Sequence, residues 1–236
     1  MAIPTAALDA LLDRHPVWRG QGLARPAMPP LPSGHAALDR ELPGGGWPAG
    51  ALTEILCAGH GIGELQLVLP ALAALSRGGE RIAWLAPPHL PYAPALAAAG
   101  LRLEALILVR APGQRDALWA AEQILRAGAC RGLLLWLPRA GYGELRRLAL
   151  AAEGGRTFCA LFRPPQAAQE SSPAPLRLAL EPEPGGAGLA VRILKRRGAQ
   201  LSAPLCIPIP RPVHAVGGAL PSPPPSRSQI ARLRLA

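Results

Sequence analysis

The sequence predicts an α/β fold, with a mostly parallel central sheet flanked by helices and antiparallel strands near the C-terminus. Three observations predict it. Apolar runs at 51–57, 81–86, 104–110, 132–137 and 157–162 alternate with helix-like segments, the pattern of a parallel sheet covered on both faces. A glycine-rich turn, Ala58-Gly59-His60-Gly61-Ile62-Gly63-Glu64-Leu65, joins the first run to a helix. After Pro164 the helices stop, and two strand-like runs at 176–180 and 189–195 flank a turn-rich stretch, as antiparallel strands do.

The elements follow in order. Thr5 can cap a short helix over 5–14 whose Leu8, Leu11 and Leu12 share a face. A Pro/Gly-rich linker follows, then a short segment from His35 to Leu42 and the cluster Gly44-Gly45-Gly46. Helices are expected at 64–77 with a kink at Pro70, at 92–99 with Pro94 in the first turn, at 114–127 and at 143–153. Residues 165–175 read as a polar loop. Residues 204–226 are Pro-rich and are not expected to fold alone. The last segment, 228–235, reads as a basic amphipathic peptide too short to be ordered unless bound. The chain therefore divides into an N-terminal helix and linker (1–30), a core (31–203) and a Pro-rich basic tail (204–236).

Composition narrows the function classes. At 236 residues and half hydrophobic, the chain can bury one substantial core. No apolar run reaches the ~18–20 residues of a membrane span, and residues 1–13 lack the pattern of a signal peptide. The four cysteines form no CxxC pair; Cys57, Cys130 and Cys159 lie in apolar runs and are read as core thiols of a reducing compartment. The formal net charge is +10, and 24 of the 25 basic residues are Arg. That points either to an acidic partner or to a GC-rich coding bias. From Pro184 to Ala236 there are eight Lys/Arg and no Asp or Glu, so the positive charge gathers at the C-terminal end.

The glycine turn sits where a phosphate-binding loop belongs. Such a loop ends in Gly-Lys-Ser/Thr, the Lys for the phosphates and the hydroxyl for Mg²⁺. Here the loop carries Gly59, Gly61 and Gly63 but ends Gly63-Glu64-Leu65, and the only Lys of the chain is Lys195. Glu64 would repel a phosphate, and in the first helical turn it suits the helix dipole by itself. The run 132–137 leads into Pro138 and the run 81–86 into Pro87-Pro88-His89, neither offering a carboxylate for the metal or the water. All three ATPase requirements fail together. No catalytic residue, cofactor or metal site is predicted; His35, His60 and His89 have no partner at metal-ligand spacing. Glu122 and Arg126, and the pair Arg146-Arg147, read as solvated helix faces. Lys195-Arg196-Arg197, at a strand end, reads either as a solvated end or as a contact for phosphate or an acidic protein surface. No aromatics interleave with the basic residues, so a platform for single-stranded bases is not expected.

The ordered motifs resemble the RecA superfamily. Leu31-Pro32-Ser33-Gly34, with Leu38-Asp39, is similar to the segment that opens the RecA core. Gly44-Gly45-Gly46-Trp47-Pro48-Ala49-Gly50, with Glu54-Ile55, resembles the strand entering its phosphate loop. Gly113 to Leu118 and Val191 to Arg197 resemble later RecA segments, the last ending in paired basic residues that meet a neighbouring protomer. Within that superfamily, Trp18-Arg19-Gly20, the stretch Pro87-Pro88-His89-Leu90-Pro91-Tyr92 and the stretch 115–123 resemble the ImuA family. The resemblance implies a RecA-like P-loop-type core without ATPase residues. It also implies a cytoplasmic bacterial accessory protein of SOS-induced error-prone translesion synthesis. Its partners would be an ImuB-like Y-family polymerase homologue and RecA, met through the N-terminal helix on one side and the region of Lys195, Arg196 and Arg197 on the other. DNA is left as an open contact, since the intervals 138–142 and 164–175, where RecA grips DNA, are short and not basic. One alternative is the related SulA family, which would make the chain a cell division inhibitor binding the tubulin-like protein FtsZ; the other is a RecA paralogue that binds nucleotide through unorthodox residues.

Overall fold

The computed structural model describes residues 29–183, 188–198 and 203–209. The helix expected at 5–14, the linker up to residue 28 and the basic peptide at 228–235 lie outside them. The elements are α1 (Ala36–Glu41), β1 (Ala51–Cys57), α2 (Glu64–Arg77), β2 (Ile82–Leu85), α3 (Ala93–Ala98), β3 (Leu106–Val109), α4 (Gln114–Ala127), β4 (Gly132–Trp136), α5 (Tyr142–Ala152), β5 (Phe158–Arg163), β6 (Leu176–Pro182), β7 (Gly188–Lys195) and β8 (Leu205–Pro208). The strands form one eight-stranded sheet in the order β3-β2-β4-β5-β1-β6-β7-β8. β1 to β6 pair in parallel, while β7 and β8 join antiparallel. The α/β class with a mostly parallel sheet and antiparallel C-terminal strands is therefore observed.

Side-chain alternation builds two cores from one sheet. Ile55, Trp84, Leu134, Trp136, Phe158 and Phe162 face α1, α2 and α3. Leu52, Ala83, Leu133, Leu135, Cys159 and Leu161 face α4 and α5. Strands β1, β2, β4 and β5 are buried along nearly their whole length, which is why their sequences are continuously apolar.

Four expectations are corrected. Residues 205–208 fold as β8, because their Pro-rich composition is tolerated on an edge strand that needs hydrogen bonds on one side only; the core accordingly runs past residue 203. The polar loop after Pro164 contains a 3₁₀ turn, Pro165–Gln169. A second one, Leu103–Ala105, delays the start of β3 to Leu106. Glu122 is buried and pairs with Arg147 of α5 at 2.6 Å, so the α4–α5 contact holds a charge pair that reads in sequence as solvent-facing.

α2 runs through Pro70. Proline has no N–H for the carbonyl four residues earlier, here Gln66. His35 Nε2 lies 3.3 Å from that oxygen, so the Nε2–H tautomer supplies the missing donor from the loop before α1. The same loop is fixed by Ser33, whose N–H donates to Asp39 Oδ1 at 2.9 Å and whose Oγ accepts from the His35 N–H at 3.0 Å. Between them Gly34 has φ +83°, and a Cβ there would stand 2.4 Å from Pro70 Cβ. The Ser-Gly…Leu-Asp spacing is thus a folding requirement of this chain. Gly34→Ala combines a left-handed backbone with an overlap, and is expected to cost about 2–4 kcal/mol in a urea titration.

Candidate functional site

β1 ends at Cys57 and α2 begins at Glu64, and the six residues between them wrap the C-terminal edge of the sheet. Gly61 and Gly63 have φ of +79° and +103°, conformations that disfavour a side chain. Gly63 is the N-terminal cap residue of α2, and Glu64 is the first residue inside the helix. Its carboxylate turns back on the loop. Both Oε atoms lie 3.1 Å from the Gly61 N–H, and the residue is buried. A phosphate loop presents its backbone N–H groups to an anion; here the chain's own carboxylate occupies that place. Glu144 does the same at the start of α5, taking the Gly141 N–H at 2.8 Å, so a Glu reaching back is how this fold closes a helix start. Ile209, after β8, packs about 3.5 Å from the position a Cβ on Gly63 would take, and covers the turn from the other side.

Beside the loop lies a cavity of about 290 Å³ over the C-terminal ends of β1, β2, β4 and β5, the usual ligand position in such sheets. Its lining includes His60, Ala86, Trp136, Phe162 and Arg163. Trp136 stacks on Phe162 with ring centres 4.9 Å apart, and Trp84 meets Trp136 at 5.7 Å. The walls are aromatic, and none of the lining residues is a carboxylate. Ala86 takes φ +52°, a strained value for a residue with a side chain, and its N–H donates to the Val109 carbonyl at 2.9 Å. His89 is exposed, and its ring meets His60 edge-on at 5.5 Å. Among the described residues no three His, Cys, Asp or Glu side chains gather as a metal site.

Behind the cavity sits a charge cluster the sequence reading missed. Glu54, fully buried in β1, accepts from Arg163 Nη1 at 3.1 Å and from Arg177 Nε at 2.5 Å. Arg163 also donates to the Ala140 carbonyl and to Glu170, and Arg177 to the carbonyls of Ala167 and Glu170. β1 lies between β5 and β6, so the cluster ties three adjacent strands together. The signal was present: a lone Glu inside an apolar strand must find cations that are themselves buried.

The basic cluster at the end of β7 divides. Lys195 is exposed, its Nζ donating to the Ser172 carbonyl at 2.8 Å. Arg197 is exposed. Arg196 turns inward and pairs with Glu41 of α1 at 2.9 Å, its side chain only 5% exposed. It fastens α1 to the end of the sheet, which corrects its placement among residues offered to a partner.

Cys57, Cys130 and Cys159 are buried and Cys206 is exposed. Burial, with Glu64 adding to it, pushes the Cys57 thiol up to about 12, and burial alone does the same to Cys159. Native protein at pH 8 is expected to react rapidly with a thiol reagent at Cys206, the other three reacting only after denaturation; fast labelling of Cys57 would contradict this packing.

Comparison with known proteins finds similarity to cell division inhibitors. Over 103 residues the chain is 34% identical to the cell division inhibitor SulA of Edwardsiella piscicida, covering 42% of this chain and 60% of that one. It is 30% identical over 99 residues to SulA of Yersinia pestis, with 42% and 59% covered. Over these stretches the chain is similar to SulA. It spans about 60% of the length of these curated relatives. The crystal structure of SulA from Pseudomonas aeruginosa is 27% identical, with a TM-score of 0.41, over 49% of this chain and 98% of that one. No family model matches. Among the described residues no helix is long and apolar enough to cross a membrane.

Proposed function

We propose that the chain is a non-catalytic inhibitor of cell division in the SOS response, acting as SulA does by docking on the tubulin-like protein FtsZ. The similarity to SulA carries this reading, and the filled glycine loop supports it. Glu64 holds the Gly61 N–H and none of the residues lining the adjacent cavity is a carboxylate, which supports a docking role rather than phosphoryl transfer. Expression from an inducible promoter is expected to give filamentous cells, and the purified protein to lower the amount of FtsZ pelleted with GTP. Normal division under strong expression, with unchanged FtsZ pelleting, would remove the proposal.

A second reading has its own support. The match to SulA covers less than half of this chain. Arg115 to Gln123 and the stretch Pro87 to Tyr92 resemble ImuA, so an accessory role in translesion synthesis is the alternative. It predicts that deleting the gene lowers damage-induced mutation without altering cell length, the reverse of the first outcome.

A further inference from the structure

The cavity beside the glycine turn has a preformed wall. Pro88, Pro138 and Pro164 line it, following the ends of β2, β4 and β5, and the fixed φ of proline leaves that rim little freedom. Trp136 and Phe162 stack with ring planes only 11° apart, which makes one side rigid and aromatic. Ala86, also in the lining, is held at φ +52°, strain of the kind a fold keeps where it clamps a ligand. Walls set in advance spare the ordering cost of binding. The volume, about 290 Å³, stands at the small end of ligand sites, enough for one or two rings.

The polar groups narrow the chemistry. The Gly61 N–H, where a phosphate would sit, is taken by Glu64. None of the lining residues is acidic, so none repels an anion. His60 lines the cavity, and His89, from the loop after β2, meets its ring at 5.5 Å. Both side chains are exposed. An imidazole keeps at least one N–H in either protonation state, so the pair offers two donors beside an aromatic wall.

We propose that this cavity binds a small aromatic carboxylate, its ring against Trp136 and Phe162 and its acid group held by the N–H groups of His60 and His89. A ligand of one or two rings makes few contacts, which gives a dissociation constant on the order of 100 µM. The site does not depend on the function proposed above.

Indole-3-carboxylate is the probe, followed on the full chain by calorimetry and by the tryptophan indole N–H resonances. It is expected to shift the resonance of Trp136 and to leave that of the exposed Trp119 in place. Indole, which lacks the acid group, should bind about tenfold more weakly. His60→Ala combined with His89→Ala should weaken the acid about tenfold and leave indole unchanged, which separates lost hydrogen bonds from a collapsed cavity. Mg-ATP should leave the Trp136 resonance unmoved. A Trp136 resonance that stays still up to about 5 mM probe would overturn the proposal. So would acid and indole binding alike, binding indifferent to the histidine pair, a shift confined to Trp119, or a Trp136 shift with Mg-ATP, which would make the cavity a nucleotide site.

Discussion

Replacing Glu54 by leucine is expected to lower the unfolding free energy by about 3–5 kcal/mol, close to the whole stability of many domains. The variant leaves Arg163 and Arg177 buried, each deprived of its principal counter-charge. Their remaining contacts to Ala140, Ala167 and Glu170 satisfy hydrogen atoms but supply one carboxylate, Glu170, which is itself half exposed. The desolvation of two guanidinium groups then goes unmet. Replacing all three residues with packed apolar side chains is expected to cost less than removing Glu54 alone, because no orphan charge remains. Urea titrations of the wild type, the single variant and the triple variant check both statements. A single variant within about 1 kcal/mol of wild type would mean that the cluster is solvated rather than enclosed.

Freeing the glycine loop gives the second large effect. In the wild type, millimolar Mg-ATP is expected to leave the melting temperature unchanged, since Glu64 already accepts the Gly61 N–H and bars an anion. Glu64→Ala removes a buried charge-assisted contact and a helix-start closure, costing about 1–3 kcal/mol. It also uncovers loop N–H groups at a helix start, so inorganic pyrophosphate should now raise the melting temperature where it does nothing to the wild type. The pair Glu64→Lys and Leu65→Thr restores the expected cation and hydroxyl, and is expected to bind nucleotide more tightly still. Hydrolysis should remain absent in both, because the cavity lining offers no carboxylate for magnesium or water. Turnover by either variant would show that a carboxylate from elsewhere reaches the cavity.

The thiols give a pH dependence of definite sign. Cys57 and Cys159 have folded values pushed up to about 12. Groups raised on folding contribute stability that is complete below their unfolded value and is lost as pH rises through the folded one. The urea midpoint is therefore expected to fall between about pH 9 and pH 12. Replacing both thiols with alanine should flatten that fall.

Much of this fold was legible because the parallel strands are buried on both faces. Continuous apolar runs marked β1, β2, β4 and β5 to within a residue or two, and helical patterning marked α2 and α4. What stayed hidden depends on partners distant in sequence. Glu54 sits 109 residues from Arg163 and 123 from Arg177, and nothing local marks the three as one cluster. β8 was obscured because proline counts against a strand in composition, yet an edge strand tolerates it. At the candidate site the loss of chemistry was visible in Gly63-Glu64-Leu65. The way Glu64 closes the loop, and the turn of Arg196 toward Glu41, needed coordinates.

The placement of Glu54 has a consequence for synthesis on the ribosome. Its strand emerges early, while its two cations arrive more than a hundred residues later, the second after every helix described here has been made. A nascent chain that stops short of Arg163 holds an anion with neither of its cations, and one that stops short of Arg177 has only one of them. Products terminated before these arginines should stay open and be cleared by proteases, so that only translation past Arg177 completes the cluster.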